Sequence, residues 1–417
     1  MTVCYDKLFG LMESQKMNSS SLMRLANISA NIISRLKHNQ YVSLETVESI
    51  CRVFSCRIDD ILSFNFSSQI PEQTSSDSML SSPLVNIQNR RYLGNKFKLL
   101  DFIRGIVNEH CTDVSVFADI FSGTGAVASA FKDKTVVTND LLFCNYLCNI
   151  AWFGNESVRL HFLADLIHDY NKISTPSENY MTENFSDTYF SQIDCSKIGF
   201  IRDDIEQKYL AHIINERERA VLITSLIYAM DKIANTCGHY DSWRRGVIFE
   251  RHLFLAMPNV PVKNNKHNRC FNENSNELVQ HITADLIYID PPYNSRQYSD
   301  TYHVLENVAR WKKPPVQGVA RKFDRSALKS DYCTGNATSA FEHLIEHCNA
   351  RYILLSYNNM AHKGNARSNS RISDADIFRI LSKRGKLNVF SKKYRAFTTG
   401  KSNIRENEER LFLCTLS

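Results

Sequence analysis

The sequence predicts two domains of different class: a small all-α helix-turn-helix domain over residues 1–66, and an α/β domain over residues 87–417 built on a doubly wound, mostly parallel sheet. Three observations carry this. Residues 5–62 string together short helical patterns. Apolar runs of strand length at Val114–Phe121, Thr135–Thr138, Asp285–Ile289 and Tyr352–Ser356 alternate with helical stretches such as Leu142–Trp152, the pattern of parallel strands joined by crossover helices. Between the two lies "SSQIPEQTSSDSMLSSP", serine-rich and without periodicity, which reads as a linker over residues 67–86.

In chain order, the first helical patterns fall at Tyr5–Glu13, Ser20–Leu25, Ser29–Lys37 and Ser43–Phe54, with a last turn ending at Leu62. In "ANIS", Ser29 is placed to cap a helix whose Ile32, Ile33 and Leu36 share one face. Asn31, Ser34, Arg35 and Lys37 then point outward. A polar, basic face of this kind suits the second helix of a helix-turn-helix, so Ser29, Asn31, Ser34, Arg35 and Lys37 are expected DNA contacts.

In the larger domain the alternation is lost between Phe153 and Asn276, a polar, aromatic and basic stretch with one strong helix around Arg217 to Ile233. It reads as an insertion at about 153–276. Near the end, "LNVFSKKYRAF" and "ERLFLCTL" look like two antiparallel edge strands around a basic loop.

The chain has 417 residues, 43% of them hydrophobic, enough for a full-sized core. No apolar run reaches membrane-spanning length and "MTVCYDKLFG" lacks the character of a signal peptide, so a cytoplasmic protein is expected. Its twelve cysteines form no C-x-x-C pair and no zinc-like spacing with histidine, which argues against a disulfide framework or a metal site. The net charge of +6 is compatible with a polyanionic partner without demanding one.

Chemistry concentrates at strand ends. "FADIFSGTGAVASAF" leaves a strand at Asp119 and passes through Ser122-Gly123-Thr124-Gly125 into a helix. Glycines there allow close approach of a ligand, although a tight turn alone would look the same. The next strand ends "VVTND", so Asp140 stands either as a helix cap or where nucleotide-binding sheets hold ribose hydroxyls. "ADLIYIDPPYNSRQYSD" is more specific: an apolar strand delivers Asp290, then Pro291, Pro292 and Tyr293. Such an acid-Pro-Pro-aromatic string is expected only ~0.01 times by chance in a chain this long, so an accidental turn is a weak explanation.

Those residues suit one reaction type. An exocyclic amine on a base is a poor nucleophile because its lone pair is delocalised into the ring. A carboxylate at Asp290 and the backbone carbonyl of Pro291 can accept both amino hydrogens and draw the nitrogen towards tetrahedral geometry. Tyr293 can stack on a base turned out of the duplex.

Motif by motif, the chain resembles the Dam-like class of S-adenosylmethionine (AdoMet)-dependent DNA adenine-N6 methyltransferases, whose sheet is Rossmann-like, preceded by a Cro/C1-type helix-turn-helix domain. The resemblance covers about residues 88–416 and 5–62. "RRYLGNKFKLL" is similar to the family's first AdoMet motif, carried onto Tyr92, Leu93, Gly94 and Lys96. "FADIFSGTGAV" implies that Asp119, Phe121, Gly123 and Gly125 surround AdoMet, and Asp140 its ribose. "DPPYNSRQY" implies Asp290, Pro291, Pro292 and Tyr293 at the target adenine, with Asp290 also bordering the cofactor. "NTCGHYD", "SYNN" around Tyr357 and "YHVLENVARW" also look like family segments. The chain departs from the family at "NENSNEL", where Asn274 stands at a position that relatives often fill with an acid.

The resemblance implies, from the family's order of motifs, that the insertion is the target-recognition region, with Arg244, Arg245 and Arg251 as expected DNA contacts and Lys263, Lys266, Arg269, Trp243 and His252 interleaved. The implied partner is double-stranded DNA, and a cognate restriction endonuclease is the implied companion. Whether the chain is a monomer or dimerises through its first domain is left open. Cytosine-C5 methylation would need a Pro-Cys nucleophile motif, which is absent. Cytosine-N4 methylation, RNA or protein methylation, and a helix-turn-helix regulator with an inactive methylase-like domain stay open as alternatives.

Overall fold

The computed structural model describes residues 2–15, 17–65, 84–174, 177–358, 370–393 and 408–417. The chain divides into two compact units, Met1–Leu80 and Ser81–Ser417. Most of the expected linker, and the basic loop between the last two strands, lie outside the described residues.

In the first unit, helices α1 (Asp6–Ser14), α2 (Ser19–Ala26), α3 (Ala30–Lys37) and α4 (Leu44–Phe54) are followed by a 3-10 turn at Ile58–Asp60. Three of these helices start where a side chain satisfies a free backbone N–H: Asn18 accepts from Ser21, Ser29 from Ile32 and Ser43 from Thr46. One core holds Leu8, Met12, Leu22, Ile33, Leu36, Val47, Ile50 and Phe54. Strand β1 (Thr2–Cys4) pairs antiparallel with β2 (Ser63–Asn65), tying the ends of the bundle together. This pairing escapes a sequence reading because three-residue strands carry no periodicity.

The second unit begins with β3 (Leu84–Val85), parallel to β6 (Met257–Pro258), so the tail of the expected linker is a strand. Its main sheet has β4 (Val116–Asp119), β5 (Thr135–Asn139), β7 (Arg269–Phe271), β8 (Leu286–Ile289), β9 (Tyr352–Asn358), β10 (Gly385–Lys393) and β11 (Glu408–Leu416), in the order β10-β11-β9-β8-β4-β5-β7. The five strands from β9 to β7 are parallel, and β11 and β10 add on antiparallel. Of the last two strands only β10 is an edge; β11 is inserted between β10 and β9, against the expectation of two edge strands. Its run Leu411–Cys414 is buried, as a strand paired on both sides requires.

Alternate residues feed two faces. Phe117, Leu286, Tyr288 and Leu354 pack on α5 (Leu100–His110). Ala118, Ile287, Ile289, Ile353 and Leu355 pack with α11 (Ser275–Leu278), α14 (Ala337–His347) and α15 (Asp374–Ser382).

The expected insertion is not a separate lobe. Its helices α7 (Leu160–Lys172), α8 (Tyr180–Phe185), α9 (Gln192–Leu210) and α10 (Glu216–Ile233) share one core with α6 (Phe143–Phe153) and α13 (His303–Arg310). Residues 269–271 then return to the main sheet as β7. Helix α9 has no one-sided apolar pattern because it buries Asp194, Ser196 and Arg202 beside its isoleucines, which hides it from a periodicity search. No helix among the described residues is long and apolar enough to cross a membrane.

Candidate active site

Three parallel strands end side by side. Asp119, the last residue of β4, lies opposite Thr138 of β5 and Tyr288 of β8. Asp140 therefore leaves the sheet on one side of the glycine loop and Asp290 on the other, the carboxyl edge where open α/β sheets bind ligands. A cleft of about 430 Å³ opens there. Among the expected site residues, Tyr92, Leu93, Gly94, Lys96, Asp119, Phe121, Gly123, Asp140, Asp290, Pro291, Pro292 and Tyr293 all line it.

Gly125 does not line the cleft. Its φ is +82°, and a Cβ there would lie 2.5 Å from Asn149 Oδ1 and 2.8 Å from the Phe153 ring. The residue must be glycine for the loop to pack on α6, so its constraint is internal packing. Gly123 is different: it borders the cleft at φ +52°, and a Cβ would come within 2.9 Å of the Tyr92 ring.

The loop carrying Tyr92–Lys96 is fastened down over α12 (Tyr298–Thr301). Tyr302 Oη accepts from the Leu93 amide at 2.8 Å, Tyr298 Oη donates to the Leu93 carbonyl at 3.2 Å, and Tyr92 stacks on Tyr302 with ring centres 4.8 Å apart. Asp140 accepts from the Gly123 and Leu142 amides at 2.9 and 2.8 Å, joining the glycine loop to the start of α6. Burial raises its carboxyl to about 6, and those hydrogen bonds restrain the rise.

Asp119 is 1% exposed, and the backbone amides of Ala128 and Phe121 face its carboxyl without forming well-aligned hydrogen bonds. Burial first, then the charge of Asp290, push its pKa well above the usual carboxylate range. A buried carboxylate facing a cleft with only poorly aligned donors is costly unless a cation or a better hydrogen-bond donor arrives to meet it.

Asp290 is raised to about 6, chiefly by burial, with Lys96 opposing and Glu409 reinforcing. Lys96 Nζ lies 3.1 Å from Asp290 Oδ1, 2.9 Å from Glu409 Oε1 and 5.6 Å from the Tyr293 ring centre. Its ammonium is thus held by two carboxylates at the catalytic motif, whereas the resemblance implied a cofactor contact. Tyr357 stands behind Tyr293, edge to face with ring centres 5.9 Å apart.

Sequence reasoning missed Glu409, on a distant strand with no motif around it. It also missed the wall formed by Leu328–Tyr332, Asn336, Ser339, Ala340 and His343. Tyr332 there meets the Phe121 ring edge to face at 5.2 Å and donates to Asn276 Oδ1 at 2.8 Å. Asn274 also lines the cleft, its side chain accepting from the Asn276 amide at 2.9 Å.

The remaining segments are structural. In "YHVLENVARW", buried Glu306 accepts from the Phe143 and Cys144 amides and so caps α6 from another element. In "NTCGHYD", Asn235 donates to the carbonyls of Thr188 and Arg244, seating the loop that bears the arginines. Arg244, Arg245 and Arg251 are exposed, as are Lys263, Lys266 and Arg269. Arg202 and Arg217, from the same basic stretch, are fully buried and donate to main-chain carbonyls. In the first unit, Ser29, Asn31, Ser34, Arg35 and Lys37 are all exposed on or beside α3.

A group-transfer cleft at the end of a parallel sheet, beside an acid-Pro-Pro-Tyr turn, defines the class. The chain belongs to the D12 class N6 adenine-specific DNA methyltransferase family, whose model matches residues 92–368. A Cro/C1-type helix-turn-helix DNA-binding domain model matches residues 7–67. Modification methylase StsI of Streptococcus sanguinis is 36% identical over 339 residues, covering 76% of this chain and 50% of the relative. Modification methylase LlaI of Lactococcus lactis is 31% identical, covering 77% and 53%, and type II methyltransferase M.FokI of Planomicrobium okeanokoites is 34% identical, covering 64% and 44%. The chain thus spans about half the length of these relatives.

Proposed function

We propose that this protein is a site-specific DNA methyltransferase that moves a methyl group from AdoMet to adenine N6 in double-stranded DNA, as the modification arm of a restriction-modification system in the cytoplasm. Its sheet is read as Rossmann-like, and the 153–276 region with Arg244, Arg245 and Arg251 as its target-recognition surface. The observation that carries the reading is the pair Asp119 and Asp290 on adjoining strand ends of one cleft, the first buried without a well-formed hydrogen bond and the second half-buried beside the two prolines and tyrosine.

The cleft fits the cofactor. The Asp119 carboxylate, without a well-formed hydrogen bond, suits an ammonium such as that of the methionine moiety, Gly123 leaves room beside Tyr92, and Asp140 keeps lone pairs for ribose hydroxyls. Tyr92, Phe121 and Gly94 complete the lining. When bound, AdoMet supplies an electrophilic methyl on a sulfonium.

Asp290 and the Pro291 carbonyl accept the two amino hydrogens of the extruded base, and that freezes the nitrogen lone pair in the direction of attack. Tyr293, backed by Tyr357 and faced by Lys96, supplies the stacking plane. The first unit offers α3 to a DNA groove through Asn31, Ser34, Arg35 and Lys37.

The test is to incubate the purified protein with unmethylated duplex DNA and labelled AdoMet, then digest the DNA to nucleosides. Label in N6-methyl-2′-deoxyadenosine is expected. Label in N4-methyl-2′-deoxycytidine, in structured RNA or peptide offered in parallel, or in nothing at all would overturn the reading.

A further inference from the structure

Glu409 belongs to no motif and does not line the cleft, yet it meets Lys96, which does. It is 5% exposed, lies opposite Asn358 in the β11–β9 ladder and accepts from Ser356 Oγ at 3.0 Å. Two strands and a hydrogen bond therefore fix it. Lys96 sits instead on a loop at the end of a flexible four-carbon stem, 5% exposed, and its ammonium meets Glu409 at 2.9 Å and Asp290 at 3.1 Å. The rigid end of this chain of charges is Glu409.

Resting on the reading of Asp290 as acceptor for the base amine, we propose that Glu409 is a positioning residue for methyl transfer: by sharing the Lys96 ammonium with Asp290, it holds the catalytic carboxylate in place while leaving it a strong acceptor. A lysine paired with Asp290 alone would close on it in a short charge-assisted bond and use up acceptor strength that the amine needs. With a second carboxylate on the other side, the positive charge is divided. Oδ1 of Asp290 is buried against Lys96, so Oδ2 is the oxygen left for the amine. The same ammonium lies over Tyr293, so one anchor aligns both the acceptor and the stacking ring.

The charged and titratable groups facing Asp290 are Lys96, Glu409, Asp119, Tyr288 and Tyr298. Glu409 raises the Asp290 pKa and Lys96 lowers it, which is the expected electrostatic signature of a shared ammonium.

The experiment compares the full chain with Glu409→Gln, which keeps the shape and the Ser356 contact but removes the charge. The kcat for adenine methylation at neutral pH should fall roughly tenfold to hundredfold, the scale of one hydrogen bond to a charged group. KM for DNA and for AdoMet should change little, and the acid limb of the kcat profile should move to lower pH. Glu409→Asp, which restores the charge, should recover part of kcat. Adding Glu409→Gln to Lys96→Met should cost nothing beyond Lys96→Met alone, because Glu409 acts through the lysine.

Wild-type kcat with an unmoved acid limb in Glu409→Gln would overturn the proposal. A kcat loss that follows a lowered melting temperature, with the limb unmoved and Glu409→Asp no better, would overturn it too by making the residue merely structural. Failure of the unsubstituted protein to methylate adenine is a separate result, seen before any substitution, and it strikes the functional reading underneath.

Discussion

The two units handle charge in opposite ways. In the first, charge stays in water: Arg35 and Lys37 are exposed, and the Arg52–Glu48 pair on α4 leaves its side chains 78% and 63% exposed, a contact worth little to stability. Its core is apolar apart from the Tyr5 hydroxyl and sulfur atoms. At the cleft of the second unit, Asp119, Lys96 and Glu409 are almost wholly buried, and Asp119 makes no well-formed hydrogen bond. Burying ionised groups costs free energy that an apolar packing would not. The contrast separates a unit that gains stability from its fold and contacts a partner at its surface from one that gives up stability to keep charges poised for a ligand.

The sharpest way to break that contrast is Asp290→Ala. Methyl transfer should drop roughly 10²–10³-fold, the scale of removing one preorganised group at a reacting atom, while AdoMet binding by calorimetry persists. Turnover equal to the parent would remove the cleft from its catalytic role.

Asp119→Asn should separate stability from function. The ligand-free protein should melt at least as high, because a buried carboxyl without a well-formed hydrogen bond becomes an amide that carries no desolvated charge at any pH, yet bind AdoMet roughly 10- to 100-fold more weakly. A variant that melts lower would mean that Asp119 is stabilised by its surroundings after all. Tyr293→Ala should raise KM for DNA by the loss of stacking, roughly 1–3 kcal/mol per base; a defect confined to AdoMet affinity would argue against stacking.

On the other side of the comparison, Arg35→Ala with Lys37→Ala should leave kcat on a short duplex intact and weaken retention on long DNA. The slope of log affinity against log salt should shrink by up to roughly 0.9 per lost phosphate contact. Abolished methylation in the folded double variant would show that the two units do not divide the labour in this way.

The smallest effect is on pH and stability. Burial raises Asp140, Asp231 and Asp290 to about 6 in the folded protein, whereas an unfolded aspartate titrates near about 3.9. The folded state therefore binds protons more tightly, and the melting temperature of the ligand-free protein should rise as pH falls from about 6 towards about 4. Glu206, Glu218, Asp285 and Asp300 are shifted down by their arginine, lysine and amide partners. Their contribution is lost only on further acidification, so the rise should turn into a fall. Asp290→Asn should flatten the rising part.

Local pattern was enough to locate α1 to α4, the central strands, the glycine loop and the Asp290 turn, because each is written in neighbouring residues: a capping serine, an apolar run, a pair of prolines. The same reading placed Asp119, Asp140 and Asp290 at strand ends before any neighbour of those strands was known. It did not foresee that Gly125 is also constrained by the packing of Asn149 and Phe153 against the loop, or that α9 and α10 of the insertion join the core of α6 and α13.

Sequence alone, then, determined the kinds of residue that stand at the carboxyl ends of the strands, since side-chain chemistry and strand propensity are local properties. Tertiary structure decided which charges touch. Lys96 and Glu409 are more than three hundred residues apart in the chain, and only the pairing of β11 beside β9 brings the carboxylate within 2.9 Å of the ammonium. Coulomb interaction depends on distance in space and on the exclusion of water, and neither quantity is written in the order of the residues.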